Sequence, residues 1–100
     1  MATDYSAQAK IFKGLCDPKR LAILDQLRSG EKCACVLQDA LDMTQSGLSY
    51  HMKILCESGL VVGRQDGKWT HYRLHPEGRD AAVALLCRLT TPEGLPHHGR

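Results

Sequence analysis

The chain has 100 residues, of which 43% are hydrophobic and 24% are charged, and its formal net charge is +2. These values are typical of one folded domain and exclude both a disordered chain and a second domain. So short a chain builds a modest core, and pairing with a second copy would bury further surface. The weak positive charge permits nucleic-acid binding only if the basic residues cluster.

The cellular setting follows from what the sequence lacks. No apolar run approaches the ~20 residues that span a bilayer, and the first residues lack the basic-then-apolar pattern of a signal peptide. We therefore expect a cytoplasmic protein that does not enter a membrane. The five cysteines are an odd number, which argues against a disulfide framework in that reducing compartment. Each thiol is then either a small packing residue or a metal or redox group.

Hydrophobic periodicity and capping residues predict four helices before any strand. Asp17-Pro18 combines an N-cap with a proline at the first helical position, and Thr44 is a second N-cap. The second helix is expected to turn Leu21, Leu24 and Leu27 inward, with Ala22 and Ile23 beside them. The fourth has its buried stripe at Leu48, Met52 and Leu55. The predicted bounds are Tyr5 to Leu15, Asp17-Pro18 to Ser29-Gly30, Cys33 to Leu41, and Gln45 to Glu57.

A hairpin and a fifth helix complete the predicted fold. Residues 60–65 and 69–74 are predicted strands, joined by the hairpin signal Asp66-Gly67. The last helix runs from about Pro76 to Leu89. The order α-α-α-α-β-β-α is that of a winged helix-turn-helix, an α+β class that is mainly α, in residues 1–89. Residues 90–100 are expected to form a loose tail.

The fourth helix carries hydrogen-bonding side chains opposite its buried stripe. Short polar groups near a helix N-terminus suit base edges in a major groove, and the terminus itself favours a phosphate. A helix-turn-helix in front and a basic hairpin behind favour DNA contact over a merely solvated face. The predicted contact residues of this helix are Gln45, Ser46, Ser49, Tyr50, His51 and Lys53.

The hairpin adds basic residues beside its turn. Arg64 and Lys68 can reach a phosphate backbone or a minor groove. The alternative is ordinary edge-strand charge, which blocks aggregation. Trp69 and Tyr72 are expected to pack the hairpin onto the helices rather than to stack on bases.

Together these motifs resemble the arsenic-responsive branch of the ArsR/SmtB repressors, over roughly residues 8 to 89. The recognition-helix and hairpin segments are specific as a set. The segments that carry the resemblance are residues 17–21, 33–35, 44–55, 59–61 and 67–72.

The resemblance implies a homodimer formed by the first and last helices. It implies binding to an imperfect inverted repeat in double-stranded operator DNA, with release when an inducer binds. The family's inducer chemistry implies trivalent arsenic or antimony as the ligand, and the regulated genes would encode arsenic efflux or reduction. By the same resemblance, the polar residues of the fourth helix would read DNA, and Arg64 and Lys68 would belong to the wing.

Cys33 and Cys35 are the candidate inducer ligands. If both belong to the third helix, their side chains point ~200° apart, because an α-helix has 3.6 residues per turn. Chelation by both thiols then requires a first turn that is extended or that unwinds. A helix N-terminus lowers a thiol pKa and favours the thiolate. Thiolates suit arsenite, antimonite, cadmium, lead, zinc and copper(I).

The third ligand of a trivalent ion is open. In the best-known arsenic repressors of this kind, a third cysteine follows the second by three residues, where this chain has Gln38. Cys56 at the end of the fourth helix is the preferred substitute, and Cys16 is another. A small ligand such as hydroxide or glutathione is a third solution. Cys87 is expected to pack in the dimer interface.

Other functions find less support in the sequence. No Ser-His-Asp or Cys-His set and no phosphate-cradling loop suggests an enzyme, and nothing calls for an organic cofactor. Another site of the family holds zinc or nickel with Asp and His residues of the paired last helices. The last helix of this chain has Asp80 but no histidine, and His97 and His98 lie in the tail. The remaining alternatives are a zinc-, cadmium-, lead- or thiol-redox-responsive repressor on the same fold, or a dimeric interaction module without a DNA role.

Overall fold

The computed structural model describes residues 4–94, and this part of the chain contains five helices and a three-stranded antiparallel sheet. The winged helix-turn-helix predicted from the sequence is confirmed, with β2 and β3 as the wing. None of the helices in residues 4–94 has the length and apolarity needed to cross a membrane. The elements are α1 (Ser6–Lys13), α2 (Pro18–Leu27), β1 (Lys32–Cys33), α3 (Ala34–Leu41), α4 (Gln45–Glu57), β2 (Val61–Asp66), β3 (Trp69–Leu74) and α5 (Pro76–Thr90).

The two predicted N-caps fix where α2 and α4 begin. The Asp17 carboxylate accepts a 2.7 Å hydrogen bond from the amide of Lys19, and Pro18 occupies the first helical position. The Thr44 hydroxyl accepts a 3.0 Å hydrogen bond from the amide of Gly47. Each cap satisfies an amide that the first helical turn leaves without a partner. α2 and α4 therefore start where the sequence predicted.

Strand β1 is the element that the sequence analysis missed. Lys32 pairs with Tyr72 and Cys33 pairs with His71, so the strand order in the sheet is β1-β3-β2. The prediction that Cys33 opens a helix is wrong, because its backbone is extended and α3 begins at Ala34. A strand of two residues is too short to produce a period-two pattern. The observed order is therefore α-α-β-α-α-β-β-α.

The core lies between α2, α3, α4 and the base of the wing. The predicted α4 stripe is confirmed, since Leu48, Met52 and Leu55 are all buried. In α2 the prediction was wrong for Leu21, which is half exposed, whereas Ile23 is completely buried. The helix is rotated toward Ile23, and Leu21 instead lines an open apolar groove between α2 and α5. The buried core residues are Ile23, Leu27, Leu37, Leu48, Met52, Leu55, Leu60 and Val61.

Helices α1 and α5 leave apolar side chains exposed. No residue of α1 is buried, and on α5 only Leu85 is buried. Val83, Leu86 and Leu89 each expose about half of their surface. The predicted boundary between a domain ending at residue 89 and a loose tail stays a prediction, because residues 95–100, with His97 and His98, lie outside the described residues.

The wing turns one residue later than the sequence predicted. Asp66 pairs with Trp69, so Gly67 and Lys68 form the two-residue loop. Gly67 has a φ of 62°, the left-handed conformation that favours glycine in such hairpins. Lys68 is consequently placed at the tip of the wing.

The first turn of α5 packs directly on the end of α4. The amide of His75 donates a 2.9 Å hydrogen bond to the carbonyl of Leu60. Gly78 faces the backbone of Gly59, and a Cβ added at Gly78 would overlap the Gly59 carbonyl oxygen. This junction connects the helix with the exposed apolar face to the helix that carries the predicted DNA contacts.

We predict that Gly78→Ala destabilises the fold. Alanine would normally stabilise a helix interior by about 1 kcal/mol relative to glycine. Here the overlap with Gly59 should reverse the sign and lower the free energy of unfolding by about 1–3 kcal/mol. Urea unfolding followed by circular dichroism measures the change, and a stability equal to or above that of the wild type would contradict the close approach.

Candidate functional site

The thiols of Cys33 and Cys35 lie side by side where β1 meets α3. Cys33 is the N-cap of α3, with φ −68° and ψ 147°. The Cys35 thiol donates to the Cys33 sulfur across 3.0 Å. The 200° separation expected within a regular helix does not arise, because Cys33 precedes the helix. Of the two possibilities that the sequence left open, an extended or an unwinding first turn, the structure has the extended one.

The contact between the two sulfurs shifts the pKa values of the two thiols in opposite directions. The hydrogen bond from Cys35 lowers the pKa of Cys33, and backbone amides at the start of α3 lower it further. The same sulfur–sulfur contact raises the pKa of Cys35, and desolvation by neighbouring protein atoms is the next cause. Cys35 is exposed and Cys33 is partly exposed. The pair is therefore accessible to a small ion or reagent, and Cys33 loses its proton first.

The pair opens into a cleft of about 180 Å³ that three parts of the fold enclose. The junction of β1 and α3, the start of α4 and the wing each contribute side chains. This arrangement brings the candidate ion ligands together with three of the predicted DNA-contacting residues, Gln45, Ser49 and Lys68. The residues that line the cleft are Cys33, Ala34, Cys35, Gln38, Gln45, Leu48, Ser49, Lys68, Trp69, Thr70 and Tyr72.

No third cysteine joins the pair in the described structure. Within residues 4–94 there is no group of three or more His, Cys, Asp or Glu side chains that could hold a metal ion. Cys56 does not line the cleft, whereas Tyr72 does. Burial raises the pKa of Tyr72, and the charge of Cys56 raises it further. Burial also raises the pKa of Cys56 itself. Cys16 donates to the carbonyl of Phe12 and lies in a separate depression along α1.

The outer face of α4 presents a row of polar side chains to solvent. Tyr50 is 60% exposed. The row lies opposite the buried stripe of Leu48, Met52 and Leu55, as the sequence predicted. Its members, all exposed, are Gln45, Ser46, Ser49, Tyr50 and Lys53.

The wing cations differ in their partners. The Lys68 ammonium lies 5.3 Å from the centre of the Trp69 ring. The Arg64 guanidinium donates 2.8 Å and 3.3 Å hydrogen bonds to the carboxylate of Glu31. Tyr72 packs against the core as expected. Trp69 does not, since it lines the cleft and is 49% exposed.

Comparisons with known proteins show which family the chain belongs to. A family model described as bacterial regulatory protein, arsR family, matches residues 17–62. The arsenical resistance operon repressor of Staphylococcus aureus is 44% identical over 87% of this chain and 84% of its own length. The chain belongs to the ArsR family of bacterial regulatory proteins.

This ArsR-family chain is also similar to a second repressor and to a solved structure. It is 48% identical to the arsenical resistance operon repressor of Escherichia coli K12 over 67% of the chain, and it spans 58% of that repressor's length. A solved structure from Mycobacterium bovis, described as a homodimeric winged helix-turn-helix DNA-binding domain, matches with a TM-score of 0.68 and 29% identity. The match covers 100% of this chain and 98% of that one.

His51 is not on the surface that the sequence assigned to it. It is 7% exposed, and Arg20 of α2 donates a 2.9 Å hydrogen bond to its Nδ1. Arg20 is itself buried and also donates to the carbonyl of Lys13. His51 is therefore corrected from a DNA-contacting residue to a link between α2 and α4. The role of Arg20 was missed because a buried arginine breaks the apolar pattern that identifies core positions.

This contact requires a neutral imidazole. Nδ1 must keep its lone pair to accept from the guanidinium, and burial lowers the pKa of His51. Asp17 opposes this shift, whereas the charges of Arg20 and Lys19 add to it. Below about pH 6.5, where a free imidazole binds a proton, the unfolded chain takes up more protons at this residue than the folded chain does. Stability therefore falls as the pH falls.

We predict that His51→Gln reduces this acid sensitivity. Glutamine keeps an acceptor for Arg20 but does not titrate. Urea unfolding between about pH 7.5 and about pH 5.5 should show a smaller loss of stability for this variant than for the wild type. His71→Gln, which replaces a half-buried histidine of β3 outside the α2–α4 contact, is the control, and a change of slope as large as that of His51→Gln would show that the effect is not specific to the contact with Arg20. Equal slopes for the wild type and His51→Gln would show that His51 does not carry the effect.

Proposed function

We propose that this chain is a homodimeric transcriptional repressor that releases operator DNA when trivalent arsenic or antimony binds the thiolates of Cys33 and Cys35. The observation that carries the proposal is the shared cleft. The two thiols, the start of α4, which we assign as the recognition helix, and the tip of the wing line the same small space. An ion that binds there lies against residues that we assign to DNA.

The DNA-binding part of the proposal uses the exposed polar row of α4 together with the wing. Gln45, Ser46 and Ser49 lie in the first turns of the helix, where short side chains can meet base edges. Tyr50 and Lys53 follow on the same face. Arg64 and Lys68 supply phosphate contacts, which set affinity without reading sequence.

The dimer is supported by the exposed apolar surface of α1 and α5. Val83, Leu86 and Leu89 are aliphatic side chains about half exposed along one helix, and Tyr5 is half exposed beside α1. Contiguous apolar surface of this kind marks an association site. A two-fold symmetric dimer would present two recognition helices to an inverted repeat.

The donor set fits a soft trivalent ion. Thiolates prefer soft ions, and the two sulfurs are 3.0 Å apart. With no third protein thiol in the cleft, we assign the third position to a small ligand from solution, hydroxide or the glutathione thiol.

The connections of the pair give the ion a route to both DNA-reading elements. The backbone of Cys33 pairs with His71 of the wing. Cys35 lies in the first turn of α3, which a two-residue link, Asp42-Met43, joins to Thr44 at the start of α4. A change in the position of the two sulfurs therefore acts on the wing through the sheet and on α4 through α3. Release requires only that the ion bind the DNA-free arrangement more tightly.

Thiol oxidation is a second candidate signal, because the two sulfurs already touch. Hydrogen peroxide could accept two electrons and two protons from the pair, forming a sulfur–sulfur bond and two molecules of water. Strictly anaerobic titrations with arsenite, compared with peroxide under otherwise equal conditions, distinguish this signal from metalloid binding.

We predict that Cys33→Ser and Cys35→Ser each strongly weaken release by arsenite while leaving DNA affinity intact. Loss of an outer-shell partner typically costs 10–100-fold in metal affinity, so loss of a direct ligand should raise the arsenite concentration for half-release by more than about 100-fold. Fluorescence anisotropy of a labelled duplex carrying the promoter of the chain's own gene measures both quantities.

Cys16→Ser is the matched control, because that thiol lies outside the cleft, and it should respond like the wild type. Loss of DNA binding in Cys33→Ser or Cys35→Ser would mean that the pair is structural. A wild-type complex that resists arsenite and antimonite but dissociates with peroxide would replace the metalloid assignment by the redox one.

A further inference from the structure

The carboxylate of Glu31 binds Arg64, which is one of the two cations that we assign to phosphate contact. Arg64 donates from Nη2 to Oε1 at 2.8 Å and from Nε to Oε2 at 3.3 Å. Two parallel hydrogen bonds of this kind are the geometry with which arginine also binds phosphate. The same edge of the guanidinium therefore cannot hold Glu31 and a DNA phosphate at the same time.

Glu31 lies among cations of the wing. Arg64 is the main cause of the lowered pKa of Glu31, and the charges of His71 and Arg73 lower it further. In the sheet, Arg64 of β2 lies opposite His71 of β3, which in turn lies opposite Cys33 of β1. Glu31 immediately precedes β1, so its bond to Arg64 crosses the central strand.

The ion pair is placed where DNA could displace it. The Arg64 side chain is 51% exposed and that of Glu31 is 32% exposed. Exposed pairs are weak and are readily exchanged for another anion. Asp66 is a second carboxylate near this guanidinium, but at 3.9 Å from Arg64 it lies beyond hydrogen-bond distance.

We propose that Glu31 is an internal competitor for DNA phosphate, which holds Arg64 in the free protein and so sets the affinity of the wing. The inference rests on the proposed DNA-binding function. It adds a residue that neither the sequence motifs nor the assigned contacts include. The opposite role, in which Glu31 orients Arg64 toward DNA, predicts an effect of opposite sign.

The test compares Glu31→Gln with Asp25→Asn. Asp25 pairs with Arg28 on α2 at 3.2 Å, so both variants remove one negative charge and release one arginine, but only Glu31→Gln does so at the wing. Affinity for the promoter duplex is measured from about 50 mM to about 200 mM salt. Arg64→Gln and the double variant Glu31→Gln/Arg64→Gln complete a double-mutant cycle.

We expect Glu31→Gln to bind the duplex about two- to fivefold more tightly than the wild type, the range that an exposed ion pair allows. The logarithm of its affinity should fall with the logarithm of salt concentration as steeply as in the wild type, because Arg64 meets the same phosphate in both complexes, whereas Arg64→Gln should lower the slope by about 0.9. Asp25→Asn should resemble the wild type. In the Arg64→Gln background the Glu31 change should have no effect.

Three results would overturn the inference. Equal affinities of Glu31→Gln and Asp25→Asn for the duplex would show that any gain in affinity comes from the change in net charge alone. Weaker binding by Glu31→Gln would assign Glu31 the orienting role. A gain that persists without Arg64 would show that another group is involved. Failure of the wild type to bind any duplex at low salt is a different outcome, which refutes the proposed function itself.

Discussion

The extended backbone of Cys33 is the constraint on which the proposed site depends. This one residue ends β1 by pairing with His71 and begins α3 as its N-cap. Because it stands outside the helix, its sulfur lies 3.0 Å from that of Cys35. In a continuous helix the two side chains would diverge by about 200°. The same conformation therefore forms the thiol pair and attaches it to both the wing and the helix-turn-helix.

The two elements to which we assign DNA contact, α4 and the wing, differ in how firmly they are held. The inner face of α4 buries Leu48, Met52 and Leu55, and burial of each such side chain stabilises by roughly 1.5–3 kcal/mol. The helix is also bonded to α2 through His51 and Arg20. At the wing, the exposed Arg64–Glu31 pair contributes only about 0–1 kcal/mol. A small ion in the cleft is therefore more able to shift the wing, or the position of α4 as a unit, than to unfold the recognition helix.

Much of this architecture could be predicted because local chemistry determines it. Asp17-Pro18 and Thr44 mark helix starts by capping, and the α4 stripe follows from helical periodicity alone. What the sequence analysis missed depends on tertiary contacts. Strand β1 forms because β3 lies beside it. The rotation of α2 depends on packing too, since Leu21 and Ile23 are both large and apolar and the sequence does not indicate which of them is buried.

The contacts of the charged residues also depend on the tertiary structure and could not be predicted from the sequence. His51 lies on the flank of a polar helix face, and its position in the sequence predicts a DNA contact. In the structure it is buried and accepts a hydrogen bond from Arg20. Glu31 and Arg64 are 33 positions apart, and nothing local indicates that they meet. In the site itself, the exposed residues of α4 lie where predicted, whereas the geometry of the thiol pair required the structure.

In the proposed site, Cys33 and Cys35 suffice as the protein ligands of the inducer ion. A variant with Cys16, Cys56 and Cys87 all replaced by serine retains only this pair and tests the claim most directly. Arsenite titrated anaerobically into its complex with the promoter duplex should release the DNA at a concentration similar to that for the wild type. A variant that binds the duplex normally but stays bound at arsenite concentrations that fully dissociate the wild-type complex would show that another cysteine completes the site.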